Sequence, residues 1–180
     1  IGLDLGGAAV GNRGAGLYLV NAPNNTIGGD SAQERNVISA NRKDGIYLKA
    51  SSGNEILGNY IGTDAGGTLD YGNGKNGILL KNGSNSNTIG VAQDGEIAGN
   101  VISGNDADGI HIHGKSNSNV VAGNRIGTNA AGTAALGNSG DGIEVKKSNY
   151  NVLGNTDAVS SVDYYDANDG TNLTQPVSGW

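Results

Sequence analysis

The chain has two histidines, His111 and His113, and a carboxylate, Glu144, that recurs 33 residues after the first of them. Imidazole and carboxylate groups are the usual parts of zinc sites and of general acid/base pairs, so this trio could hold an ion or move a proton. Each of these residues stands at a fixed offset from a glycine. Two residues after Gly16, Gly45, Gly77, Gly109 and Gly142 come Tyr18, Tyr47, Leu79, His111 and Glu144. Two residues further on come Val20, Lys49, Lys81, His113 and Lys146. On a strand, both sets point to the same side, so they form two adjacent columns. The second column could attract a negatively charged polymer, and Tyr18 and Tyr47 beside it could stack on sugar rings. Lysines on a half-exposed strand read more simply as solvated, their stems covering apolar surface while tyrosines shield the sheet.

A polysaccharide lyase would need a base such as Lys81, His111 or His113, and acidic groups to hold calcium against a uronate. Asp44, Asp108 and Asp141 precede the strand glycines in a column of their own and read as turn residues entering a strand. Asp64 and Asp70 supply only two carboxylates in one loop, a weak calcium site. The expected binding residues are therefore Tyr18, Tyr47, Lys49, Lys81, His111, His113, Glu144 and Lys146. No metal site and no cofactor are assigned, calcium remaining a weak alternative.

The elements that position these columns follow from the period. A Gly, apolar, any, apolar segment recurs with steps of 29, 32, 32 and 33 residues. Two shorter apolar segments follow it in each step, one opened by Asn25, Asn54, Asn87 and Asn119, the other by Asn36, Asn59, Asn100, Asn124 and Asn155. Each step holds three strands. Alternation turns Ile46, Leu48, Ile56 and Ile61 to one side, as it does Ile78, Leu80, Ile89 and Ile102, and then Ile110, Ile112, Val121 and Ile126. So few aliphatic side chains cannot offset the ordering of roughly thirty residues, so a step must stack on its neighbours. Gly and Asn at the corners tolerate left-handed backbone, and Asn columns can bond from coil to coil. These features predict an all-β, right-handed, single-stranded parallel β-helix of about five coils.

A longer period of about 65 residues is superposed, because a long loop after the third strand alternates with a short one. The first dozen residues match the long form, so the chain is expected to begin within the third strand of a coil, as a piece of a longer array would. Residues 1–156 are assigned to the β-helix and 157–180, where the inward pattern stops at Asp157, to a cap or tether.

Composition narrows the function. The 33 glycines and 2 prolines, with no Cys, Met or Phe, do not describe a helical domain. A net charge of −6 argues against nucleic acid, and no apolar run is long enough to insert in a bilayer. Open coil edges leave end-to-end self-association as a further expectation.

Segments such as Asn100-Val101-Ile102-Ser103-Gly104-Asn105, and Asn124 through Thr133 with Leu136-Gly137-Asn138, resemble the tandem repeats of large secreted and cell-surface bacterial proteins of the pectate-lyase-like β-helix superfamily. That resemblance covers about residues 1–156. It implies an extracellular or cell-surface setting and a polysaccharide or cell-surface glycan as partner, and it transfers no catalytic residue. The leading expectation is a non-catalytic stalk or adhesin module with carbohydrate contact. A polysaccharide-active enzyme working on the first strand's outer face is the alternative, and a fibre-forming subunit is the third.

Overall fold

The computed structural model describes residues 1–90, 99–154 and 165–166, the last two by their backbone alone. Three parallel sheets run along one axis. The first contains β1 (Leu17–Val20), β4 (Ile46–Lys49), β7 (Ile78–Lys81), β10 (Ile110–His113), β13 (Ile143–Lys146) and β15 (Tyr165–Asp166). The second contains β2 (Thr26–Gly28), β5 (Glu55–Leu57), β8 (Thr88–Ile89), β11 (Val120–Ala122) and β14 (Val152–Gly154). The third contains β3 (Val37–Ile38), β6 (Tyr60–Ile61), β9 (Val101–Ile102) and β12 (Arg125–Ile126). Every strand pairs with its counterpart one coil away, the arrangement of a right-handed parallel β-helix. No helix among the described residues is long and apolar enough to cross a membrane.

The core is a stack of like residues. Ile46, Leu48, Ile56, Ile61, Ile78, Leu80, Ile89, Ile102, Ile110, Ile112 and Val121 are fully buried, as the alternation requires. Leu17 and Leu19 of β1 are only partly buried against this core. The strands are two to four residues long, too short to set their own register. The corners set it. Asn25, Asn54, Asn87, Asn119 and Asn151 form a ladder in which each residue's backbone N–H and side-chain Nδ2 donate to the Oδ1 of the next. Asn36, Asn59, Asn100 and Asn124 form a second ladder of the same kind. Asn12, Asn41, Asn73, Asn105 and Asn138 form a third. A one-step slip would strand buried amides, so register is strongly specified.

Left-handed backbone at the corners is carried by more than Gly and Asn. The position after each first-sheet strand has positive φ at Asn21, Ala50, Asn82, Gly114 and Lys147. Ala50 and Lys147 carry a Cβ there against its intrinsic preference. Inter-coil bonds override that preference: the Ala50 N–H donates to the Lys81 carbonyl, and the Lys115 N–H to the Lys147 carbonyl. Glycine is needed for space at Gly62, where a Cβ would lie 2.1 Å from the Ser103 carbonyl oxygen.

The long loops after the third strand repeat a single design. Isolated antiparallel bridges join Leu3 to Ala9, Thr63 to Asp70 and Thr128 to Ala135. The first of these loops stacks on the chain as its sequence match to the other two predicts, the Ser39 N–H donating to the Ile1 carbonyl. Asp157 and the rest of the expected cap or tether lie outside the described residues, apart from β15. Most of the insertion after β8, at 91–98, lies outside them too.

Candidate metal centre

Pairing within the first sheet brings both outward columns into line as expected. Tyr18 faces Tyr47 and Val20 faces Lys49. Tyr47 faces Leu79 and Lys49 faces Lys81. His111 faces Leu79 on one side and Glu144 on the other, with His113 opposite Lys146. At the backbone level Glu144 is also in register with Tyr165.

The two ends of this face differ chemically. At one end the Tyr18 and Tyr47 rings stack with centroids 4.7 Å apart, so each already covers a face of the other. Tyr18 is 55% exposed and keeps its outer surface. Burial pushes the Tyr47 hydroxyl above its ordinary range, helped by Tyr18 and Asp44. The expected cationic row is shorter than its sequence suggests. Lys146 is paired with the Oε1 of Glu144. Burial, followed by the neighbouring His111 and Lys81, pushes His113 below its ordinary value of 6.5, so it is neutral at pH 7. Lys49 and Lys81 remain as the cations of that column.

At the other end, Asp108, His111 and Glu144 converge. Asp108 belongs to a fourth corner column, Asp44, Asn76, Asp108 and Asp141, and its Oδ1 accepts the Asp141 N–H at 2.9 Å. That bond leaves Oδ2 directed at the His111 Nδ1, 2.8 Å away. Glu144 rises from the next coil, and its Oε2 lies 2.8 Å from the same nitrogen. Glu144 is buried even though it stands on an outward-facing column, being 8% exposed. Burial pushes the Asp108 carboxyl up, but hydrogen bonds from His111 and the Asp141 N–H outweigh it and hold the group below its ordinary value of 3.8. Hydrogen bonding to Glu144 raises the Lys146 ammonium above 10.5. Near pH 7 the Asp108 carboxylate and the Lys146 ammonium are therefore both charged.

One ring nitrogen facing two carboxylate oxygens cannot satisfy both with a single proton. One donor atom from each of the three residues lies within 4.8 Å of the other two, a set that could hold a metal ion. Imidazole and carboxylate together suit first-row transition ions. The trio read from the sequence is corrected in one member. His113 packs edge-on against His111 with centroids 4.9 Å apart and is not among the converging groups, while Asp108 is. Reading Asp108 as a turn residue describes one of its oxygens only. An Asp three residues before a histidine, with Glu in the same column one coil on, is the signal that could have revealed it.

The weak calcium reading of the long loop is not supported. Asp64 uses its carboxylate to accept the N–H groups of Gly66, Thr68 and Leu69. Asp70 accepts the Gly72 N–H. Calcium takes six to eight oxygen ligands, and this loop offers no such shell. Asn129 makes the equivalent bonds to the N–H groups of Thr133 and Ala134 with an amide.

Compared with known families, residues 5–172 match the family model of NosD, described as periplasmic copper-binding protein. No match to a curated protein or to a solved structure was found.

Proposed function

The chain belongs to the NosD family, whose description is of periplasmic copper-binding proteins, and from that premise we propose that it is a non-catalytic β-helix module working outside the cytoplasm. It serves as a rigid segment that displays the outer face of its first sheet to a ligand. The observation that carries this reading is the register of that sheet, which holds over five successive coils while the outward residue changes from coil to coil. A constant scaffold with a variable face is the form expected of a contact surface.

The finer reading is a stalk or adhesin in contact with acidic polysaccharide, related to the pectate-lyase-like proteins through its scaffold. Lys49 and Lys81 supply the charge, and the outer surface of Tyr18 supplies a ring for a sugar to stack on. Passing the folded chain over immobilised acidic and neutral polysaccharides, while following new unsaturated or reducing ends, tests it. The expected outcome is retention on the acidic polymer without turnover, abolished by replacing Lys49 and Lys81 with alanine. Turnover lost on changing His111 or Lys81 would instead establish the enzyme alternative.

Copper, named in the family's description, sets a condition on this chain's donors. There is no Cys or Met, the soft ligands that favour copper(I). Copper held here would be copper(II), on imidazole and carboxylate groups.

A further inference from the structure

The cluster around His111 differs from a solvated ion pair in how its carboxylates are held. Each has one oxygen engaged elsewhere and the other turned to the same nitrogen. Asp108 gives Oδ1 to the Asp141 N–H and presents Oδ2 at 2.8 Å from the His111 Nδ1. Glu144 gives Oε1 to Lys146 and presents Oε2 at 2.8 Å. Partners on the far oxygen of a ligating carboxylate are what orients it in metal sites.

We propose that Asp108, His111 and Glu144 form a site for one divalent transition ion, copper(II) foremost, with Lys146 as a positioning residue; the site stands whether or not the face contacts polysaccharide. The spacing fits. Two ligand atoms about 2.0 Å from an ion and at right angles to each other lie about 2.8 Å apart. The environment fits as well. The Glu144 side chain is 10% exposed, and those of Asp108 and His111 are 15% and 19% exposed, enough to admit an ion while limiting competition from water. Among the described residues this is the one grouping of three His or carboxylate side chains close enough to share an ion. Three protein ligands leave coordination positions for water or for a group on a partner. At a site of nitrogen and oxygen donors, copper(II) binds more tightly than the other first-row divalent ions.

The test is titration of the untagged chain with copper(II) against excess glycine as competing chelator, followed by calorimetry and electron paramagnetic resonance. One copper(II) per chain is expected, in a single spectroscopic species coupled to one imidazole nitrogen, with zinc(II) weaker and calcium without measurable heat. His111→Ala is expected to lower affinity at least about 100-fold, and Lys146→Met about 10- to 100-fold, as loss of an orienting partner does. His113→Gln should stay within about threefold. Far-UV circular dichroism checks that each variant is folded, and Glu144→Gln, which keeps side-chain shape while removing the charge, gives a second reading should His111→Ala unfold. Affinity unchanged by His111→Ala or Glu144→Gln, or a loss that follows His113→Gln, would overturn the proposal. Unchanged affinity in Lys146→Met would remove the positioning role.

Discussion

The inner and outer sides of the first sheet obey opposite rules. Inside, each coil repeats the last: Ile46, Ile78, Ile110 and Ile143 occupy one column, and Asn54, Asn87, Asn119 and Asn151 another at the neighbouring corner. Outside, the column Tyr18, Tyr47, Leu79, His111 and Glu144 changes from aromatic to aliphatic to ionisable. The difference implies that the fold depends less on the outer column than on the inner ones. Register is held by ladders and core, so the outer residues are free to vary and can be given over to chemistry.

This comparison is broken most severely by a change on the inside. Asn87 accepts from the backbone N–H and Nδ2 of Asn54 and donates to Asn119, all of it buried. Asn87→Ala leaves several of these groups unpaired and should cost about 3 kcal/mol or more, visible in urea unfolding as a lowered midpoint. An outer change of similar size should do less. His111→Leu, which installs the kind of side chain already present at Leu79, is expected to cost about 1 to 2 kcal/mol, because Asp108 Oδ2 and Glu144 Oε2 lose the imidazole between them while Asp108 keeps the Asp141 N–H and Glu144 keeps Lys146. Equal losses in the two variants would show that the outer column also supports the fold.

A corner residue sharpens the point. Ala50 holds a positive φ that a Cβ disfavours. Ala50→Gly should raise stability by up to about 1 kcal/mol, read as a higher urea midpoint, the relief of strain being partly offset by the freer unfolded chain. The smallest effect belongs to the long loops, where Asp64 and Asn129 do the same work with and without a charge. Burial tends to raise the Asp64 carboxyl, but three backbone N–H donors outweigh it and hold it below 3.8. A depressed value means that its contribution is present above 3.8 and is lost as pH falls through the lowered value. Because the group is largely exposed, solvent screening keeps this to about a few tenths of a kcal/mol. Asp64→Asn should lower stability at pH 7 by no more than those few tenths and flatten the acid limb of a thermal unfolding series. A variant as acid-sensitive as the parent would show that the loop does not sense Asp64.

The fold was legible because the columns that determine it are redundant: Ile46 could be misread, yet Ile78 and Ile110 repeat its message. The long loop in the first dozen residues could be recognised for the same reason, the bridge at Leu3 and Ala9 being a copy of those at Thr63 and Thr128. The site at His111 was only half legible. Register placed Glu144 beside it, but Asp108 looks like Asp44 in sequence, and both serve as corner acceptors. What distinguishes Asp108 is the residue three places on, His111 rather than Tyr47, together with the Glu144 of the following coil. The row of lysines was overread because alternation shows which way a side chain points and not what meets it, and Lys146 meets Glu144.

The asparagine ladders have one more consequence. Each rung offers donors to the coil after it and an acceptor to the coil before it, in three corners at once. A coil pair is thus an interchangeable part, and inserting or excising one leaves matching ladders on both sides of the joint. The molecule is graduated like a ruler, at about 4.8 Å per coil. Its reach can be lengthened or shortened by whole divisions without redesigning any corner, while whatever is displayed on one division keeps its surroundings.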